Sequence, residues 1–337
     1  MTIVYALIMF CILIFIHELG HFIAAKSCGV KVNEFALGMG PVIVSRQKGE
    51  TKYSLRAIPI GGFCAMEGED EESDDHKAFN NKKAWQKTII VCAGSFMNLI
   101  LAVILLTIVV YNIGVPTTTV GKVQEDRPAY EAGIRVDDKL VAVNGTPIEE
   151  WEDFGKEIAK ADPKEKVEIK VNRDGKEIVF NSSIDKGEDG RQIVGVVASS
   201  EKDLVKAIKQ GPKATVNMAK GMYGTLKMLL TGDVGTKELS GPVGIVYLVD
   251  KSVEQGMVSF LYFMALISLN LAIVNMLPFP ALDGGRLVFI IIRKITGKAI
   301  TDEMEGKVHM IGMVLLLTLM LYVTWNDIMR FILPIFN

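Results

Sequence analysis

The chain has 337 residues, half of them hydrophobic, and carries 37 Lys and Arg against 39 Asp and Glu, for a formal net charge of -2. That length allows two or three compact units, and the apolar content is too high for an ordinary soluble enzyme. A near-neutral balance with no basic stripe interleaved with aromatics gives no footing for a nucleic-acid partner.

Uncharged runs at 2–16, 88–113, 257–282 and 308–325 approach the ~20 residues a helix needs to cross hydrocarbon, so four membrane spans are predicted. The first run lacks a basic leader and a small-residue cleavage site, and reads as a retained span rather than a signal peptide. It leads directly into His17-Glu18-Leu19-Gly20-His21. Two histidines at i and i+4 share a helical face within reach of one ion, and Glu18 between them is suited to act as general base toward a water, the H-E-x-x-H pattern of zinc proteases. The bland alternative is the polar end of a span meeting its loop. Ionisable groups at membrane depth are functional by default, which favours the metal. Cys11, Cys28, Cys64 and Cys92 show no C-x-x-C spacing and imply neither a disulfide framework nor a thiolate site.

Between residues 30 and 66, Gly38, Gly40, Pro41, Gly49, Pro59, Gly61 and Gly62 punctuate short runs at 42–45 and 52–58 that read as strands and hairpins. Following the motif so closely, they are placed to lie against or dip into the membrane and offer a strand edge to an extended substrate; a cytoplasmic hairpin without special role is the alternative. The acidic run 67–75 and His76 read as solvated surface. In span two, Gly94 and Asn98 lie i and i+4 on one face beside Ser95, small residues that let helices approach and an amide that needs a partner. Counting rise per residue, His17 lies about 22 Å from the outer boundary of a ~30 Å core and Asn98 about 15 Å from the inner one. Both then fall in the inner half of the bilayer, which assigns Gly94 and Asn98 to the substrate-facing wall.

Residues 115–200 change character. Strands are predicted at 120–123, 139–143, 167–171 and 177–180, turns at Asn144-Gly145 and Asp174-Gly175, and a helix at 151–161. From 201 to 230, lysines among leucines and methionines predict an amphipathic interfacial helix on the outer leaflet, and Gly241-Pro242-Val243-Gly244 breaks the chain before span three. Asn270, Asn275, Pro278, Pro280 and Asp283 crowd the inner end of that span, where two prolines free backbone carbonyls and make 275–283 the border of a wet pocket. Asp283 either pairs with Arg286 or joins His17 and His21 as a third ligand; the second reading is the stronger, because catalytic zinc takes three protein ligands. His309 needs no metal to explain it. Lys26, Lys31, Lys82, Lys83 and Lys87 border the first loop, and Arg286, Arg293, Lys294, Lys298 and Lys307 lie in the last. Positive charge inside makes both loops cytoplasmic, with the termini and the long middle domain outside.

The run from Pro128 to Gly145 resembles the PDZ-like domains of bacterial envelope proteases. The motif at His17, Tyr53-Ser54-Leu55-Arg56-Ala57-Ile58-Pro59-Ile60-Gly61-Gly62, Ala93-Gly94-Ser95-Phe96-Met97-Asn98 and Asn275-Met276-Leu277-Pro278-Phe279-Pro280-Ala281-Leu282-Asp283-Gly284-Gly285 together resemble the site-2 protease family of intramembrane zinc metalloproteases, in its bacterial regulator-of-sigma-factor form. The resemblance implies a polytopic α-helical membrane protein of four transmembrane helices with a membrane-associated β-hairpin loop and an extracytoplasmic PDZ-like α+β domain. Its divisions are an N-terminal membrane region (residues 1–114), a PDZ-like domain (115–200), an interfacial linker (201–256) and a C-terminal membrane region (257–337). It further implies zinc held by His17, His21 and Asp283, water activated by Glu18, and Asn270 and Asn275 near the substrate. The hairpins would hold that substrate, a membrane-spanning protein such as an anti-sigma factor or signal-peptide remnant, as an added strand. The partners implied are such substrates and the lipid bilayer, with no nucleic acid and no small-molecule cofactor beyond zinc. The protein is then expected in the cell membrane with its active site toward the cytoplasm. A zinc transporter would spread ligands along a pathway or a repeat, and a non-catalytic scaffold would have lost the base; one ligand cluster and the presence of Glu18 disfavour both.

Overall fold

An unbroken helix α1 (Thr2–Ser27) carries the first apolar run through the histidine motif and beyond it. The computed structural model describes residues 2–69, 73–187, 190–232, 240–297 and 302–332. Lys298, residues 70–72 of the acidic run and residues 233–239 of the linker lie outside the described residues. The chain forms two compact units, Met1–Val109 with Gly211–Asn337, and Val110–Gln210. Among the described residues, four helices are long and apolar enough to cross a membrane: Thr2–Ser27, Ala84–Ile113, Met257–Asn275 and Glu303–Phe331.

In α1 the buried residues Ala6, Met9, Leu13, Gly20, His21 and Ala24 recur at helical spacing, while Ile3, Val4, Ile8, Ile12 and Phe15 are exposed. The exposed stripe suits lipid and the buried one suits protein. After α1 come strands β1 (Val32–Lys48) and β2 (Thr51–Met66), longer than the predicted runs. They form one sheet folded back on itself: residues 34–37 pair on one side with 62–65 and on the other with 52–55, and 42–48 pair with 51–56. Gly38 and Gly40, at φ 86° and 81°, make the bend, because a Cβ on Gly38 would sit 2.7 Å from the Ile58 carbonyl oxygen. Arg56 ties the fold-back, donating to the Gly40 carbonyl at 2.8 Å and to Glu34 Oε1 at 2.7 Å. Cys11 Sγ meets the Pro59 carbonyl oxygen at 3.1 Å, so the sheet reaches about 9 Å along α1 beyond His17. Past the sheet, hydrogen bonds from Ser73, Asn33 and Lys31 hold the Glu67 carboxyl down at about 2. Helix α2 (Ala84–Ile113) returns alongside α1, and Gly20 permits the approach, since its missing Cβ would lie 2.3 Å from the Ala93 carbonyl oxygen.

The second unit opens on β3 (Val115–Val123) and the short α3 (Pro128–Glu131). It continues through β4 (Lys139–Val143), β5 (Thr146–Pro147), α4 (Trp151–Lys160), β6 (Val167–Arg173), β7 (Lys176–Ser182), β8 (Asp185–Lys186), β9 (Gln192–Ile193) and β10 (Val196–Glu201). An antiparallel sheet of order β10-β3-β4-β6-β7, with β5 on β4, encloses a core of Val120, Ile134, Leu140, Val143, Phe154, Ile158, Ile169 and Val171. Asn144-Gly145 and Asp174-Gly175 all have positive φ, the backbone of the two-residue turns predicted there. Strand β10, an edge of this sheet, had no counterpart in the predicted elements. Asp138 is fully buried and accepts from Arg173 Nε at 2.6 Å, Arg173 Nη2 at 2.7 Å and the Arg135 amide at 2.8 Å.

Helix α5 (Leu204–Thr231) follows, with Val216 and Tyr223 among its exposed residues. The second half of the predicted linker holds a helix that packs into the helical core. Helix α6 (Pro242–Glu254) packs Val249, Ile245 and Val246 into the core built by α1, α2 and α7 (Met257–Asn275). Its first turn is capped from afar: buried Asp327 accepts the Gly244 amide at 2.8 Å, and a side chain on Gly241 would collide with that carboxylate. Span three ends at Asn275 rather than 282, because Pro278 and Pro280 cannot continue a helix. An unpredicted helix α8 (Asp283–Thr296) then begins at Asp283, and α9 (Asp302–Asp327) runs into a π-helical turn, Ile328–Ile332.

Replacing Asp138 with alanine is expected to lower the stability of the second unit by about 2–3 kcal/mol, after discounting for the partial exposure of Arg173. A thermal melt of the detergent-purified protein measures this; an unshifted transition for that unit would show the ion pair to be dispensable.

Candidate metal centre

One turn of α1 puts the His17 and His21 rings 4.8 Å apart, edge to face, with their Nε2 atoms 3.2 Å from each other. Asp283, at the start of α8, completes a triangle: its Oδ2 lies 3.3 Å from His17 Nε2 and 3.5 Å from His21 Nε2. An ion bound tetrahedrally with bonds of about 2.1 Å separates its ligands by about 3.4 Å, so two imidazoles and a carboxylate at these distances fit zinc. Asp283 Oδ2 is buried and has no hydrogen-bond donor, as an atom reserved for a cation would be. His21 Nδ1 faces the Ile90 carbonyl oxygen at 2.9 Å, an acceptor that fixes the proton on Nδ1 and leaves Nε2 with its lone pair. Arg286, the alternative partner for Asp283, is instead ion-paired with Glu69.

Glycine makes room for this triangle. A Cβ on Gly94 would lie 2.3 Å from His21 Nε2 and 2.8 Å from His17 Nε2, inside the ligand set. Gly284 and Gly285 let segment 276–280 fold over the first turn of α8, where a Cβ would meet the Leu277 and Phe279 carbonyl oxygens at 2.2 and 2.4 Å. Ala281, the residue after that segment, has φ 74°, a left-handed conformation held by its amide donating to His309 Nδ1 at 2.8 Å. His309 therefore shapes the approach to Asp283. Sequence reasoning passes over it because 28 residues separate donor and acceptor, and no spacing rule reaches that far.

A cavity of about 390 Å³ adjoins the triangle, lined by Glu18, Phe63, Cys64, Ala65, Met66, Val91 and Leu282 together with the three ligand residues. Asn98 is fully buried, its Nδ2 3.3 Å from His17 Nδ1, and belongs to the wall behind the histidine rather than to the cavity lining. Asn275 is half-buried and Asn270 exposed, and neither lines this cavity.

The model of peptidase family M50 matches residues 5–319. The chain belongs to peptidase family M50. This M50 peptidase is 39% identical over 331 residues to a Clostridium acetobutylicum protein named for zinc metalloprotease activity, covering 97% of each chain. It is 32% identical to the regulator of sigma-W protease RasP of Bacillus subtilis, covering 98% of each, in an alignment of 416 positions, so RasP carries segments that this chain lacks. It is also 32% identical to the zinc metalloprotease RasP of Geobacillus kaustophilus, covering 98% of this chain and 99% of the relative. Among solved structures, the PDZ domain of an SdrC-like protein from Listeria monocytogenes aligns with 25% of this chain and 86% of its own at 17% identity, with a TM-score of 0.22. The M50 peptidase is thus a multi-pass membrane protein, a zinc metalloprotease, and an enzyme of regulated intramembrane proteolysis.

Gly94→Ala is expected to cut zinc content about tenfold or more, because the new methyl group enters the ligand triangle. Atomic emission on the purified protein reads this directly, and full zinc loading of the variant would show that the histidines have room the geometry denies them.

Proposed function

We propose that His17, His21 and Asp283 hold the catalytic zinc, that Glu18 is the general base, and that the substrate is a membrane-spanning protein cut within or near its transmembrane segment. The observation that carries this reading is the 3.2–3.5 Å triangle of ligand atoms with Glu18 on the adjoining cavity. Zinc supplies the Lewis acidity that polarises the scissile carbonyl and makes water a nucleophile near neutral pH. Glu18 takes the proton of the attacking water and returns it to the leaving nitrogen. The Cγ of Glu18 would lie 3.5 Å from a Cβ on Gly62, so the base sits beside the last pass of the β-sheet.

A helical substrate hides its carbonyls in hydrogen bonds and must unwind before it can be cut; a strand edge at the metal compensates the exposed backbone groups. Among the described residues, 62–66 pair only with 32–37, and Phe63 to Met66 line the cavity. That edge, rather than the predicted 42–58, is the one adjoining Glu18, and we assign it to substrate. Asn270 and Asn275 are assigned to substrate contacts along α7. Residues 115–200 are taken as a PDZ-like domain, supported by the antiparallel sheet with α4 and an apolar groove between that helix and residues 191–196. The basic loops favour a cytoplasmic active site with both termini and this domain outside. The kinship with a regulator of sigma-W protease favours an anti-sigma factor or signal-peptide remnant as substrate.

Glu18→Gln should keep its zinc and lose cleavage by about 10²–10⁴-fold. Comparing membrane-protein fragments in cells carrying the active or the Glu18→Gln enzyme tests both base and substrate class: unprocessed membrane stubs should accumulate with the variant, and undiminished cleavage sinks the mechanism. Asp283→Ala should lower zinc content, and unchanged metal would remove Asp283 from the ligand set.

A further inference from the structure

The wall behind the ligands has a periodicity of its own. Ile90, Gly94 and Asn98 stand one turn apart on α2, and each meets a different portion of the metal centre. The Ile90 carbonyl oxygen faces His21 Nδ1 at 2.9 Å, the bare Cα of Gly94 faces the two Nε2 atoms, and the Asn98 amide faces His17 Nδ1 at 3.3 Å. Since α1 runs antiparallel to α2, the two rings, one turn apart on α1, meet groups two turns apart on α2, His21 toward Ile90 and His17 toward Asn98, with Gly94 between them.

We infer that Asn98 is a positioning residue of the metal centre: its amide oxygen accepts the Nδ1 proton of His17 and so presents Nε2, unprotonated, to the zinc. The inference rests on the reading of His17 as a ligand. A neutral imidazole carries one proton, and a ring that binds metal through Nε2 must carry it on Nδ1, where it needs an acceptor. For His21 the Ile90 carbonyl supplies that acceptor. For His17, Asn98 is the one hydrogen-bond partner of Nδ1 among the described residues. Asn98 is fully buried and its backbone carbonyl accepts from Ser268 Oγ of α7 at 2.7 Å, which anchors the residue and denies it to substrate.

The amide has two orientations, and each selects a tautomer. With Nδ2 toward the ring, Nδ1 of His17 is an acceptor, the proton sits on Nε2 beside Asp283, and Asn98 Oδ1 is left buried without a donor. Turned by half a revolution about its terminal bond, the amide offers Oδ1 to Nδ1–H and frees Nε2 for the metal. Zinc loading and the Asn98 amide would therefore be coupled: the turned amide presents His17 Nε2 unprotonated, and a ring held in that tautomer is the stronger ligand.

Zinc affinity of the detergent-solubilised full-length protein, measured by competition with a chromophoric chelator, tests this with three variants. Asn98→Leu removes the acceptor and should weaken zinc binding by about 10–100-fold. Asn98→Asp keeps the acceptor and should bind at least as tightly as the parent, whereas a merely structural amide would not be rescued by a carboxylate. His17→Ala should lose tight binding altogether. If Asn98→Leu binds like the parent while His17→Ala fails, the role of Asn98 is overturned and the ligand set stands; if His17→Ala keeps its zinc, the ligand reading itself falls. A folded Asn98→Asp that binds as weakly as Asn98→Leu also overturns the inference. Histidine ¹⁵N spectra of the unmutated zinc protein decide the matter without a variant: protonation at His17 Nδ1 supports it, and protonation at Nε2 overturns it.

Discussion

Three donor atoms within 3.5 Å of one another, two from histidines and one from a carboxylate, are gathered in a body whose helices are built for hydrocarbon. Uncompensated, a carboxylate at that depth costs several kcal/mol. The charge is tolerable where a cation neutralises it, and the surrounding chain gathers the groups that would hold one and the hydrogen-bond partners of the two histidines. Gly20 and Gly94 bring α1 and α2 into the contact that sets the Ile90 carbonyl and the Asn98 amide behind the rings. Gly284 and Gly285 fold segment 276–280 over α8 so that Asp283 arrives from the far end of the chain.

Hydrolysis adds two demands that a helical membrane body cannot meet by itself, water and an extended backbone. The cavity beside Glu18 adjoins the ligand triangle, and the strand edge at 62–66, assigned above to substrate, runs along the same cavity. Substrate carbonyls released from their helix would meet backbone partners at the place where the scissile bond must lie. The fold-back at Gly38 and Gly40 pairs 34–37 with both 52–55 and 62–65, so the strand that borders the cavity is held by the same sheet that carries 42–48.

Periodic and local features were legible before any coordinates. Unbroken apolar runs announced four spans, His17 and His21 marked a candidate metal site through i, i+4 spacing, and Asn144-Gly145 and Asp174-Gly175 declared their turns, since each depends on a local stretch of sequence. The reading stopped where a contact spans the chain. Helix α6 reads as a linker until Asp327, 83 residues on, is seen to cap it. Helix α8, which begins at Asp283 just past the run that hydropathy extended across Pro278 and Pro280, has no local signal that sets it apart. His309 looked incidental until Ala281 was found leaning on it.

Asn98 marks the boundary most clearly. Its residue type and its four-residue distance from Gly94 were evident, yet the substrate role expected of it rested on depth alone, and depth does not say which side of a histidine an amide occupies. By itself the sequence determined the candidate ligand types, two histidines one helical turn apart and a distant carboxylate, and the four runs long enough to span a membrane, because these follow from side-chain chemistry and 1.5 Å of rise per residue. Only the tertiary structure decided which atoms close the triangle, which strand edge borders the cavity and which groups stand behind the ligands. Those are relations between segments far apart in sequence, set by how closely glycine lets the backbones approach.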